Sequence, residues 1–465
     1  MSVTIVEIPK GEDGRNQGID DYLAAGGALE ELDYFPYTGE ALPPRDWPVL
    51  ADEALHGLAG RVVRKIKPNT EADPVALLLV FLTAYGNAIG RGSYFKIGDD
   101  KHFMKIFTLL VGRSSKARKG VAQARINNLM ENVYREWTIS SEATGLASGE
   151  GLTHRVRDKV TKKIDDKKTG EKRTVVVDEG VTDKRLLVEE PEFAALLTVM
   201  SREGNNLSMQ VRKAWDDATL QNLTRKASEK ATESHISIVA HTNQGELSAH
   251  LTHEKLGGGL INRFLPILVR RWQILPLGGK PDLFSKEEVK ELRSAVNFGR
   301  KGGEIPLSAD TEEEYNVSAE ELWCAVYEEL SGEVPGLLGE ATARAEAYTR
   351  RLATIYALLD ESPKVRVDHL FAALALWAYV YDSCRILFAG KVGDPLSDEI
   401  LDALRDAGEA GLALSEIHEL FSNHKRASQI RAALTKMERE GWVRSAKEKS
   451  GKAGRPTIRW WACDV

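Results

Sequence analysis

Cysteine is scarce: Cys324, Cys384 and Cys463 are the only three in 465 residues, and they stand too far apart for a disulfide framework or a thiolate metal site. The expectation is reduced thiols in or near cores. A membrane-length apolar run is missing as well, because the longest, "PVALLLVFLTAYGNAIG", is short for a span and contains Asn87. Asp73 stands where an N-cap belongs and Pro74 where a first helical residue belongs, so this stretch reads as a buried helix. The opening "MSVTIVEIPKGEDGRNQ" has no apolar signal region. These absences predict a cytoplasmic protein without a membrane partner. Positive charge is not in excess either: 63 Lys and Arg against 69 Asp and Glu leave a net charge of −6. A uniformly basic coat is excluded, and any nucleic-acid contact has to be local, through basic patches on an acidic body.

What is there is the composition of a globular protein, 42% apolar and 28% charged, over a length that suggests about three domains. Residues 1–50 are rich in Gly, Pro and acid, with little period, and read as an arm or linker. A helical region over 51–105 ends in "GRGSYFKIGDDKHF". From 106 to 307, short apolar runs ("IFTLLV", "RLLV", "HISIVA", "FLPILV") alternate with helical patterns such as "VAQARINNLMENVYREW" and "EFAALLTVMSREGNNLSMQVRKAW". Strands separated by helices indicate an α/β fold with a parallel sheet covered on both faces. Residues 308–392 read as wholly helical, in "TEEEYNVSAEELWCAVYEEL", "ATARAEAYTRRLATIYALLD" and "VDHLFAALALWAYVYDSCRILFAG". Gly390 and Gly393 punctuate that block before a small module over 396–465.

The stretch "LLVGRSSKARKGVAQARINN" has the context of a phosphate-binding loop, an apolar strand running through a loop into an amphipathic helix. Gly112 opens it, and Lys116, Arg118, Lys119 and Gly120 stand beside Ser114 and Ser115. Such clustered cations suit a polyanion, and equally a solvated basic loop. Other strand ends favour the first reading. "LLVEEPEF" places Glu189 and Glu190 after an apolar strand, where phosphoryl transfer from ATP needs one carboxylate to position hydrated Mg²⁺ and another to take a proton from the attacking water. Glu189 is the expected metal ligand and Glu190 the expected base, with Glu192 a competitor. "HISIVAHTNQGEL" brings His241 and Asn243 to the next strand end, placed to sense a terminal phosphate. "GGGLINRFLPILVRR" supplies Arg263, which suits an arginine finger entering a neighbouring subunit's site.

This order of elements resembles AAA+ ATPases of the replicative-helicase kind. More specifically, "TEADPVALLLVFLTAYGNAIGRG", "VGRSSKARKG", "SGEGL", "DEGVTDKRLLVEEPEF" and "HLFAALALWAYVYDSCRILFAG" resemble primase-associated, helicase-like ATPases of phages, plasmids and integrated elements, over roughly residues 40–390. The resemblance implies a P-loop NTPase core with a helical lid, acting as an ATP- and Mg²⁺-dependent DNA helicase in a homo-oligomeric ring, a hexamer. It also accommodates the late Lys119 and implies a second sensor arginine at Arg350 or Arg351. Val121 and Ala122 depart from the pattern, since they stand where the family has hydroxyls. "NQGIDDYLAAGG" resembles the closing segment of a toprim-type primase domain, which implies either a primase partner encoded upstream or descent of this chain from a primase–helicase fusion.

Basic clusters supply the DNA contacts. "RDKVTKKIDDKKTGEKRTVVVDEG" reads as a hairpin loaded with Lys162, Lys163, Lys167, Lys168, Lys172 and Arg173, and "NLTRKASEKATES" offers Arg225, Lys226 and Lys230. Helicases of the resembled layout carry insertions here that point into a central pore and hold single-stranded DNA by its phosphates. The final module reads as three short helices and two strands, a winged helix that suits duplex DNA or a protein partner. Lys425, Arg426, Gln429 and Arg431 open its third helix, and Lys447, Lys449, Lys452 and Arg455 load the wing. A competing reading makes the chain a non-hydrolysing, nucleotide-regulated origin-binding protein.

Overall fold

In a computed structural model the chain is described over residues 4–7, 33–36, 47–165, 172–217, 219–221, 229–249, 259–421, 424–448 and 457–463. It divides into two compact units, Met1–Trp47 and Pro48–Val465. In the first, β1 (Thr4–Glu7) and β2 (Asp33–Pro36) form an antiparallel ribbon that pairs Thr4 with Pro36, regular structure within the expected arm.

The second unit opens with α1 (Gly57–Ile66) and α2 (Pro74–Ile89). Asp73 caps α2 by accepting from the Val75 N–H, and every residue of the helix is buried. The antiparallel pair β3 (Ser93–Ile97) and β4 (Asp100–Phe103) follows, in a region where the sequence reading expects helices. Then come β5 (Phe107–Val111), α3 (Lys119–Ser141), β6 (Glu142–Thr144), α4 (Gly149–Arg155) and the hairpin of β7 (Val160–Asp165) with β8 (Lys172–Asp178). Next in order are β9 (Arg185–Glu190), α5 (Phe193–Met200) and α6 (Leu207–Trp215). The last two divide a stretch that reads as one helical pattern, because Gly204 takes a φ of +76° and turns the chain. A short ribbon of β10 (Leu220–Gln221) and β11 (Lys230–Ala231) leads to β12 (His235–Thr242), α7 (Gln244–Ala249), β13 (Leu265–Leu268) and α8 (Lys286–Lys301).

Five of these strands form one parallel sheet in the order β13-β5-β12-β9-β6. All five residues of β5 and seven of the eight of β12 are buried, so both alternating sets of side chains are covered and helices lie on both faces. From β5 the chain crosses to the far edge at β6, then returns through β9 and β12 to β13 at the other edge. Right-handed crossovers place the first of these connections on one face and the returning ones on the other.

β14 (Gly303–Glu304) adds to β3, and a turn between β15 (Thr311–Glu312) and β16 (Val317–Ser318) precedes α9 (Ala319–Leu330). The helical block therefore starts later than its composition suggests. Ser318 and Glu321 form a capping box that sets the start of α9, and Asn316 turns the chain at φ +49°. The block continues through α10 (Gly336–Thr342), α11 (Ala345–Leu359) and α12 (Val367–Phe388). Among the described residues only α12 is long and apolar enough to cross a membrane. Here it packs on β13, with the Tyr379 hydroxyl donating to the Leu268 carbonyl at 2.8 Å and Ser383 Oγ accepting the Leu268 N–H at 3.1 Å.

The C-terminal module comprises α13 (Pro395–Ala407), β17 (Leu412–Ala413), α14 (Leu414–Leu420), α15 (Ala427–Arg439), β18 (Val443–Glu448) and β19 (Thr457–Ala462). Its strands pair antiparallel in the order β17-β19-β18 over a core that includes Leu401, Ile417, Ile430, Leu434 and Trp442. Cys324, Cys384 and Cys463 are free thiols.

Candidate functional site

The C-terminal ends of the parallel strands are where an open α/β sheet receives ligands. At the end of β5, Gly112 is boxed in: a Cβ there would stand 2.4 Å from the Val269 carbonyl oxygen and 2.6 Å from the Ala117 Cβ. Its N–H donates to the Thr242 carbonyl at 3.1 Å, which locks the loop to β12. Ser115 and Arg118 then adopt left-handed conformations at φ 57° and 56°, each costing about 1–2 kcal/mol in a non-glycine residue. This strained path brings the chain into α3 with the backbone N–H groups of Ser115, Arg118, Lys119 and Gly120 unused by any hydrogen bond among the described residues. Free amides at a helix start, where the dipole is positive, suit an anion.

The side chains sort into two groups. Lys119 folds over the loop and donates to the Gly112 carbonyl at 2.6 Å. Half-burial lowers its pKa, while Glu246 and Glu192 pull the other way. Asn243 Nδ2 donates to Ser114 Oγ at 3.1 Å, and its Oδ1 accepts the Glu246 N–H at 2.9 Å. Burial, with the Lys119 charge adding to it, pushes the His241 imidazole down to about 4, and its buried Nε2 has no partner. The ring is therefore neutral at pH 7. Lys119, Ser114, His241 and Asn243 thus share one small volume. Arg118 belongs to the second group, because its Nε is drawn to Glu71 at 2.6 Å, while Lys116 and Ser115 face solvent.

Glu189 and Glu190 occupy successive positions on β9 and so point to opposite faces of the sheet. Glu189 faces α3, accepting from Gln123 Nε2 at 2.8 Å and Asn127 Nδ2 at 2.6 Å. Those donors lie four and eight residues beyond Lys119, roughly 6 and 12 Å along the helix axis. Glu190 is buried, accepts the Leu146 N–H at 3.1 Å, and has its pKa raised by desolvation. Glu192 is exposed at the start of α5. A third acid, Glu142, has no signal in the sequence, since it opens a strand of three residues. β6 pairs it with Leu187, two positions before Glu189, and burial, with the charges of Glu189 and Glu131 adding to it, pushes its carboxyl up to about 7. Its Oε1 is buried without a partner.

The three arginines expected at the nucleotide lie elsewhere. Arg263 precedes β13, at the N-terminal end of the sheet, where it is 8% exposed and pairs with Asp216 at 2.6 Å. Arg344 shares that carboxylate at 3.4 Å, and both guanidiniums lie over Trp215. Arg351 is 1% exposed, stacks on Trp215 at 3.8 Å and donates to the Lys105 carbonyl at 3.1 Å. Lys105 stands just before β5, whose five residues carry the chain roughly 17 Å to Gly112. Arg350 stacks on Phe95 at 5.0 Å and donates to Ile305. The expectation that Arg350 or Arg351 senses a nucleotide is thereby corrected. α11 is buried along nearly its whole surface, and both guanidiniums are enclosed inside the chain. Arg263 is likewise engaged by its own chain.

Two basic ribbons emerge together from that same N-terminal end. Lys162 and Lys163 on β7 and Lys230 on β11 are exposed. The ribbons share a base in which the Asp158 N–H donates to the Lys230 carbonyl at 2.7 Å and the Thr232 N–H donates to the Asp158 carboxylate at 3.0 Å. Lys167, Lys168, Arg225 and Lys226 lie outside the described residues, as do Lys449, Lys452 and Arg455 of the C-terminal module. In that module Lys425, Arg426 and Arg431 are exposed around the start of α15, and Lys447 is exposed on β18.

A further cluster joins His56, Asp360 and His369, whose Nε2 atoms lie 2.7 and 3.4 Å from Asp360 Oδ2. Its spacing suits a metal, but its hydrogen bonding does not. The Nδ1 of His369 accepts the Arg366 N–H at 2.9 Å, which leaves the proton on Nε2, the atom that would have to bind an ion. The cluster ties α1 to α11 and α12. No family model matches the chain, and no curated protein is significantly similar to it.

Proposed function

We propose that this chain is an ATP-hydrolysing DNA translocase, a helicase that works as a ring of identical subunits in the replication of a phage, plasmid or integrated element. One observation carries the reading: a glycine-bounded loop with free amides and Lys119 follows β5, while His241 with Asn243 and the carboxylates end β12 and β9 on one side of it. A P-loop NTPase core of the AAA+ kind needs a phosphate cradle, a polar sensor and acids at successive strand ends. In this reading Lys119 and the amides of residues 118–120 hold the phosphates. Glu190, made more basic by burial, takes the proton from the attacking water. Mg²⁺ would be held by the carboxylate of Glu189 and would neutralise charge on the phosphates. The basic ribbons grip phosphates of single-stranded DNA, and the C-terminal module, read as a winged helix, presents Arg426 and Arg431 to duplex DNA. With Arg263 engaged inside its own chain, stabilising the transition-state charge falls to Lys119.

A second reading, nucleotide held without hydrolysis to regulate DNA binding, is favoured by two features. Glu189 is occupied by Gln123 and Asn127 well along α3 from Lys119, and Val121 replaces a hydroxyl. Phosphate release from Mg²⁺-ATP, measured with and without single-stranded DNA, separates the two. Turnover stimulated by DNA and lost in Lys119→Ala and Glu190→Gln supports the motor. Tight ATP binding without turnover supports the regulator.

A further inference from the structure

We infer that the strap following β13 is a stacking platform for the base of a purine nucleoside triphosphate, with Trp272 as its face; this rests on the reading of residues 112–120 as a phosphate cradle. The sheet order supplies the direction. The acids and His241 lie on the β12 side of β5, so a terminal phosphate directed toward them sends the nucleoside to the other side, over the end of β13. Val269, just past β13, touches the cradle: its N–H donates to the Val111 carbonyl at 2.8 Å, and its own oxygen is the atom that boxes in Gly112.

Glu71 fixes the strap to the cradle. Its carboxylate takes Arg118 Nε at 2.6 Å and the Leu275 N–H at 3.0 Å, and its carbonyl takes the Trp272 N–H at 3.0 Å. Gln273 adds bonds to the Lys67 and Thr70 carbonyls at 2.9 and 2.8 Å. On this rigid support Trp272 is 45% exposed, Ile274 70% and Leu277 101%. Lys67 Nζ lies 4.2 Å over the Trp272 ring and orients it. A fixed, half-exposed indole beside a phosphate cradle is suited to base stacking, which tolerates any base and favours the larger purines. The amides of Trp272 and Leu275 are already spent on Glu71, so the strap stacks without reading the base edge, and adenine and guanine are both accepted.

Calorimetric titration of the full chain with ATP, GTP and inorganic tripolyphosphate tests this. Trp272→Ala is expected to weaken ATP and GTP roughly tenfold and leave tripolyphosphate unchanged, Trp272→Phe to keep most of the affinity, and Lys119→Ala to weaken all three ligands about a hundredfold. ATP quenches tryptophan emission in the parent chain and not in Trp272→Phe, whereas tripolyphosphate quenches neither. Unchanged ATP affinity in Trp272→Ala, with Lys119→Ala weakened, overturns the platform and leaves the cradle standing. Failure of both ATP and tripolyphosphate to bind the parent chain overturns the cradle and the platform together. A change in self-association in Trp272→Ala without a change in affinity makes the strap a subunit contact and overturns the platform.

Discussion

At the N-terminal end of the sheet, Asp217 takes Lys105 at 2.7 Å and Arg91 at 2.8 Å, Arg351 lies flat on Trp215, and Asp216 takes Arg263 and Arg344. At the C-terminal end, left-handed Ser115 and Arg118 hold a loop of unused amides, and His241 Nε2 has no partner. Both ends carry many charges. One pairs its carboxylates with its cations, although Arg263 Nε and Arg351 Nε stay without a partner, whereas the other presents a run of unused amides at a helix start, which suits an anion. Charge density alone therefore does not locate a site.

The strongest way to break this comparison is Asp217→Ala, which strands Lys105, held down to about 8 by burial, beside Arg91 and Arg351. Removing one member of a buried pair costs about 3–5 kcal/mol, read by urea denaturation, with ATP affinity of the folded protein unchanged. Lys119→Ala is the mirror case. ATP affinity is expected to fall about a hundredfold, roughly 2.7 kcal/mol, while the melting temperature stays close to that of the parent. Arg263→Ala sharpens the assignment of that residue to its own chain. It is expected to cost about 1–2 kcal/mol of stability through the loss of Asp216 pairing and stacking. Loss of turnover in mixed assemblies at full stability would return it to a neighbour's site.

The smallest effect is a pH slope. Because the folded pKa of Glu142 is raised from 4.5 to about 7, folding disfavours its ionised form, and stability falls as pH rises across that window. Glu142→Gln flattens the slope and is the more stable protein above pH 7, as melting curves across the window will show. The parent melting above the variant at pH 8 would contradict the assignment.

The strands β5, β9, β12 and β13 were legible because each is a short apolar run between polar turns, and α2 because Asp73 and Pro74 mark its start. Their order was not, since it depends on crossovers that no local pattern records. The phosphate loop announced itself through Gly112 and its cations, yet Arg118 turned out to serve Glu71. Arg350 and Arg351 were expected to sense a nucleotide, and nothing nearby in sequence hints that Trp215 and Phe95 cover them. Glu142 and Trp272 escaped for the same reason: their neighbours in space are distant in the chain.

Hydrogen exchange of the full chain, followed by mass spectrometry with and without Mg²⁺-ATP, tests the contrast between the two ends most directly. The account predicts slowed exchange in peptides covering residues 112–120 and 241–246, with none across 346–352. Slowed exchange across 346–352, with 112–120 unchanged, would contradict it.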